Sequence, residues 1–186
     1  MLKKILIGIV VTVGVLMVSL FGSVLMLDSF FNTSKGNKEE ILASSGQSPK
    51  SALIVYQPSI SDISSRMAHQ IAKGLNDAGY QVTLNHPGEH LPTDLSKYSL
   101  VIFGSPVYAG QASKALTNYL EKVENFSTSR IVLYSTGSSP QEAMELETME
   151  KFLNGAKAEK KVKFYTSAKK DNDQLAYNLG KELATK

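Results

Sequence analysis

The chain has 186 residues, 42% of them hydrophobic and 20% charged, with a formal net charge of +3. That suits one globular domain plus an additional segment, and the balance is too mild for a nucleic-acid binder. Cysteine is absent, which excludes disulfides, thiolate nucleophiles, iron–sulfur clusters and lipid anchoring through Cys.

Met1 to Lys4 is short and basic, and Ile5 to Leu27 carries no charge at all. As a helix that run spans roughly 34 Å at about 1.5 Å per residue, enough for a bilayer core. It exceeds the roughly 7–15 apolar residues of a cleavable signal peptide, and Ser19-Leu20-Phe21-Gly22-Ser23 makes a poor cleavage site. The reading is an uncleaved, single-pass signal anchor in the cell membrane, with lipid as partner through residues 5–27; cleavage is the alternative. Lys3 and Lys4 precede the span and Asp28 follows it, which puts the N-terminus in the cytoplasm and the rest outside, although Lys35 and Lys38 pull the other way. Phe30 and Phe31 are expected at the membrane interface. Residues 32–50 are rich in Ser, Asn, Gly and Lys, the composition of a flexible linker. The expected organisation is anchor 1–31, linker 32–50 and domain 51–186.

The domain opens on the apolar run Ala52–Tyr56, as expected for a strand covered on both faces. The polar loop Gln57–Ser64 follows and leads into a helix with Ile63, Met67, Ile71 and Leu75 on one face, ending at Gly79. Free amides and the helix dipole make such a loop a natural anion site. A short alternating strand covers 81–85. His86 and His90 come next, four apart and without a convincing third ligand, so no metal site is expected. Leu100–Gly104 reads as a third strand, ending in Ser105-Pro106-Val107-Tyr108-Ala109-Gly110-Gln111, and Ala112 to Val123 as a helix. Ile131–Tyr134 is the fourth strand, ending in Ser135-Thr136-Gly137-Ser138. Ser139, Pro140 and Glu142 form a capping box for a helix with Leu146, Met149, Phe152 and Leu153 inside. Val162, Phe164 and Thr166 alternate in a half-exposed edge strand. Asp171 with Gln174 caps a last helix with Leu175, Leu179 and Leu183 inside. Lys160, Lys161, Lys163, Lys169 and Lys170 read as a solvated edge.

Alternating apolar strands and amphipathic helices mean an α/β domain with a parallel sheet. Right-handed crossovers make 2-1-3-4-5 the simplest order for five strands. Ligands then bind outside the carboxyl ends of the strands, where the loops after strands one, three and four (57–64, 105–111 and 135–139) converge.

Gly104-Ser105-Pro106-Val107-Tyr108-x-Gly110 resembles the G-S-P-x-Y-x-G segment of the flavodoxin family, and the resemblance covers about residues 51–184. It implies a flavodoxin-like three-layer sandwich and FMN as cofactor. By resemblance, Pro106, Val107, Tyr108 and Gly110 border the flavin ring, with Tyr108 able to stack on it. Thr136, Gly137 and Ser138 lie opposite. Ser59, Ser61, Asp62 and Ser64 correspond to the family's S/T-x-T-G-x-T phosphate loop, with Asp62 where glycine is expected. A carboxylate about 5 Å from a phosphate costs about 3 kcal/mol, or a hundredfold in affinity. Asp62 is also a good helix cap that could substitute for the phosphate.

Two readings follow. In one, the protein is a membrane-tethered FMN carrier of electrons, or an oxidoreductase similar to the NAD(P)H:quinone reductases, partnered by a quinone or a redox protein. In the other, it is a flavin-free binding or scaffold domain. No G-x-S-x-G follows a strand and no G-x-x-x-x-G-K-[ST] is present, which argues against a hydrolase and a nucleoside triphosphatase.

Overall fold

The structure, a computed structural model, describes residues 2–44, 46, 49–126, 129–138, 143–166 and 171–185. The sheet contains β1 (Glu40–Leu42), β2 (Ser51–Tyr56), β3 (Gln81–Asn85), β4 (Leu100–Tyr108), β5 (Gln111–Ala112), β6 (Arg130–Gly137) and β7 (Lys160–Tyr165). Its helices are α1 (Leu2–Asn32), α2 (Ile63–Asn76), α3 (Lys114–Lys122), α4 (Met144–Lys151) and α5 (Asn172–Ala184).

Five strands run parallel in the order β3-β2-β4-β6-β7, the 2-1-3-4-5 arrangement that the apolar runs imply. Two short strands are added to it. The first, β1, pairs antiparallel with β3, and β5 folds back on β4. Both faces of the sheet are covered, which explains the uninterrupted apolar strands. Ala52, Ile54 and Tyr56 of β2 pack with Met67, Ile71 and Leu75 of α2 and Leu179 and Leu183 of α5. Leu53 and Val55 face the other way, toward Leu116 and Leu120 of α3 and Leu146 and Met149 of α4.

Several local features differ from the sequence reading. The segment 32–50 contains β1, which covers the outer edge of β3; an unpaired edge is a strong template for any nearby extended chain. Lys38 N donates to Asn85 Oδ1 and Ser34 Oγ to the Pro87 carbonyl, so residues 33–42 are tied along that edge. Helix α2 stops at Asn76, and Gly79, at φ 95°, makes the turn into β3. Leu175 is exposed, and Ala176, Leu179 and Leu183 form the inner face of α5. The lysines on β7 are not a solvated edge. Lys163 is buried in an ion pair with Glu145 at 3.0 Å, and Lys161 pairs with Glu147 and Glu150. Asp171 caps α5 as expected, accepting from the amides of Asp173 and Gln174. The capping box 139–142 and Lys169 and Lys170 lie outside the described residues.

Leu6–Asn32, with a mean hydropathy of 2.5, is long and apolar enough to cross a membrane by length and composition. Its large apolar side chains from Leu6 to Met26 are exposed. The C-terminal end of α1 meets the domain. Ser113 Oγ donates to the Phe31 carbonyl at 2.6 Å, and Lys114 N donates to Asn32 Oδ1 at 2.9 Å. The carbonyl end of one helix thus faces the amide end of another, α3, and the two dipoles attract.

Candidate functional site

Three chain segments meet at the carboxyl rim, and each departs from a simple loop. The strand β2 ends at Tyr56, and Gln57 N extends the ladder by donating to the Gly104 carbonyl. Beyond it, the first loop is folded on itself. Ser59 is buried, and its Oγ accepts from Ser64 N at 3.2 Å. Ser64 is fully buried, and its hydroxyl donates to the Gln57 carbonyl at 2.7 Å, inward from the rim. Ser61 and Asp62 are exposed. Asp62 sits at φ 57°, the left-handed region that glycine favours, and its carboxylate makes no cap bond to α2. The first turn of α2 therefore lacks the side-chain cap that Asp62 was expected to offer. Arg66, one turn into α2, pairs with Asp173 at 3.1 Å.

The second segment is mostly strand. Pairing runs on through Ser105, Pro106, Val107 and Tyr108, because β5 and β6 flank that stretch. Ala109 and Gly110, at φ 50° and 76°, make the two-residue turn back into β5, a hairpin that needs left-handed backbone at both central positions. In the third segment β6 continues through Thr136 and Gly137, with Thr136 opposite Pro106 and exposed Ser138 just beyond. Tyr108 ties the first two segments together, its phenol oxygen accepting from Ile60 N at 3.4 Å. Burial pushes the Tyr108 phenol above its usual range, so it stays protonated.

Two buried polar atoms at this rim have no hydrogen-bond partner among the described residues: Gln57 Oε1 and Thr136 Oγ1. A buried acceptor without a partner is costly, and such atoms concentrate where a ligand or water completes the bond. One aromatic expected at the membrane interface lies at the rim instead. Phe31, from the end of α1, is buried and stacks on Tyr108 with ring centroids 3.3 Å apart at 15°. Gln57 Nε2 donates to the Thr33 carbonyl beside it at 3.2 Å. No sequence signal pointed to this, since Phe31 is separated from Tyr108 by the linker and half the sheet.

A second cavity, of 760 Å³, lies on the β3 side and is lined by Lys38, Glu40, Tyr56, Asp62, Arg66, His69 and His86, among others. Burial, with Lys38 nearby, pushes the His86 imidazole below its usual range. His69 bonds Glu40 at 3.0 Å and its other ring nitrogen faces the Ser65 carbonyl.

A family model described as Flavodoxin domain matches residues 63–175, more than half of the chain. The chain belongs to the flavodoxin-domain family. The match contains the second and third rim segments and begins just after Asp62, so it does not speak to the first loop. A comparison with curated protein sequences finds no match. Among solved structures, the flavodoxin of Streptococcus pneumonia TIGR4 superposes with a TM-score of 0.62 at 19% identity, over 73% of this chain and 98% of that one. Two-electron reduced Megasphaera elsdenii flavodoxin gives 0.57 at 14% identity, over 73% and 99%. Rubredoxin oxygen:oxidoreductase from Desulfovibrio gigas gives 0.58 at 15% identity, over 75% of this chain and 36% of that one. At these identities the likeness is one of fold. That fold is an FMN-binding electron-transfer fold, and FMN is the cofactor it implies.

The residues at the rim fit that group in most respects. Asp62 holds a left-handed backbone conformation, its carboxylate makes no cap bond to α2, and Gln57 Oε1 and Thr136 Oγ1 have no partner among the described residues. The flat face of Tyr108 is the exception, because Phe31 covers it.

Proposed function

We propose that this protein is a membrane-anchored flavodoxin-type electron carrier. In this reading it binds FMN at the carboxyl rim of the sheet and exchanges electrons with a quinone or a redox protein at the membrane. The observation that carries it is the convergence of the three rim segments, the first two tied through Tyr108, with one buried oxygen on the first (Gln57 Oε1) and one on the third (Thr136 Oγ1) that lack a partner among the described residues. FMN, when bound, supplies the one- or two-electron chemistry. The amides of Ser59 and Ser61 and the remaining amides at the start of α2 would hold the phosphate together with the Ser61 hydroxyl, since Asp62 N already donates to the Ser59 carbonyl and Ser64 N to Ser59 Oγ. Ser64 braces that loop from beneath through its bond to Gln57. Pro106, Val107, Tyr108 and Gly110 would border one side of the ring and Thr136, Gly137 and Ser138 the other, with Gly110, at φ 76°, making the hairpin turn. The anchor 1–31 crosses the membrane once, and the domain 51–186 lies on the extracytoplasmic side.

The test is a titration of the full chain in detergent with FMN, read as quenching of flavin fluorescence. Saturable quenching is expected, and a colourless protein after gel filtration at high FMN overturns the reading. Asp62→Gly is expected to tighten FMN about tenfold. The full Coulomb penalty of a nearby carboxylate corresponds to about a hundredfold, and the exposure of Asp62 screens part of it.

Two observations favour the flavin-free reading: Phe31 fills the stacking face of Tyr108, and the Ser64 hydroxyl turns inward. On that reading the rim seats the protein's own anchor. Absence of quenching in both the natural chain and Asp62→Gly is its signature.

A further inference from the structure

We propose that the end of the membrane helix gates the flavin slot: Phe31 and the flavin ring compete for the same face of Tyr108, so a seated anchor and a loaded cofactor exclude one another. This rests on the reading of the rim as an FMN site.

The Phe31 and Tyr108 rings lie 3.3 Å apart and nearly parallel, which is direct stacking contact. A third ring between them needs about 3.5 Å on each side, so their spacing must roughly double before it enters. Phe31 is held in place from both sides. Its carbonyl accepts from Ser113 Oγ, and the next residue, Asn32, accepts from Lys114 N. Thr33 then accepts from Gln57 Nε2. The Gln57 amide therefore serves the anchor with its nitrogen while its buried oxygen has no partner among the described residues. Withdrawal of the anchor frees both ends of that amide at the slot. Seating and loading thus draw on the same groups, Tyr108 and Gln57. Beside them a 290 Å³ cavity runs between Val24, Phe31 and Asn32 of α1 and the residues from Tyr108 to Lys114. The slot consequently opens next to the membrane-facing helix, and whatever displaces the end of that helix sets cofactor occupancy.

The chain has no cysteine, so a pair can be introduced cleanly. Asn32→Cys with Lys114→Cys, in the full chain in detergent, reports seating by the rate of disulfide formation. The gate predicts fast cross-linking without FMN, slower cross-linking with FMN, no FMN quenching in the cross-linked form, and recovery of quenching on reduction. It also predicts that Phe31→Ala binds FMN about tenfold or more tighter, since the natural chain is mostly in the closed, incompetent state. Weaker binding by Phe31→Ala makes Phe31 a second wall of the slot and overturns the gate. Failure to cross-link shows that the anchor is not seated and overturns it too. FMN binding with no effect on cross-linking overturns the gate and leaves the flavin reading standing. Efficient cross-linking with no FMN binding by the natural chain, Phe31→Ala or the reduced pair removes the flavin reading, and the gate with it.

Discussion

Replacing Glu145 with leucine is expected to destabilise the domain by about 3–5 kcal/mol, seen as a loss of urea resistance of the full chain in detergent by circular dichroism. Glu145 and Lys163 are almost entirely buried, with side-chain exposures of 3% and 6%, and lie 3.0 Å apart. Ser135 Oγ donates to the same carboxylate oxygen at 2.7 Å. Removing the carboxylate strands an ammonium group among β6, β7 and α4 and takes away the Ser135 acceptor. Two charges out of water attract strongly, but each has lost its hydration, so the net worth of the pair is small even though the cost of breaking it is large. The double variant Glu145→Leu with Lys163→Leu should therefore recover most of the loss. If it is as unstable as the single variant, the effect comes from packing rather than from a stranded charge.

Gly74→Ala is expected to cost about 3 kcal/mol, or roughly 10 °C in melting temperature. In an open helix the change would stabilise by up to about 1 kcal/mol, because alanine is the better helix former. Here a methyl group on Gly74 would lie 2.2 Å from the Tyr177 carbonyl oxygen and 3.0 Å from Lys181 N. A methyl on Gly180 would likewise meet the Ile71 carbonyl at 2.3 Å. The obstacles are backbone atoms, so no side chain can turn aside. Helices α2 and α5 must separate, which opens gaps among Ile71, Leu75, Leu179 and Leu183 in the same core. An unchanged or raised melting temperature would show that the helices part freely. The distance from the rim makes this a stability effect, and FMN affinity measured on the folded fraction should be unchanged.

Much of the candidate site was legible because rim loops are marked by composition. Gln57–Ser64, Ser105–Gln111 and Ser135–Ser138 each follow an apolar run and carry Ser, Gly or Pro. Their boundaries were less legible. The strands β4 and β6 run on to Tyr108 and Gly137, since a strand continues as long as a neighbour offers partners, here β5 and the facing stretch of β4 and β6. The role of Asp62 was half legible. Its place where the flavodoxin resemblance expects glycine is read from the sequence, but whether its carboxylate caps α2 is a question of rotamer and backbone, and at φ 57° it does not.

By itself the sequence determined the α/β alternation, the five-strand order, the rim as the place of convergence and a helix long enough to span a bilayer. All of these follow from periodicity and runs within short windows, together with the handedness of crossovers. Only the tertiary structure decided the pairing of β1 with β3, the burial of Lys163 against Glu145, the close approach of Gly74 and Gly180, and the seat of Phe31 on Tyr108. Each of these joins residues far apart in the chain, and the identity of a side chain carries no information about which distant surface it will meet. That choice is made when the elements pack and the remaining edges, charges and ring faces find whatever the fold has brought beside them.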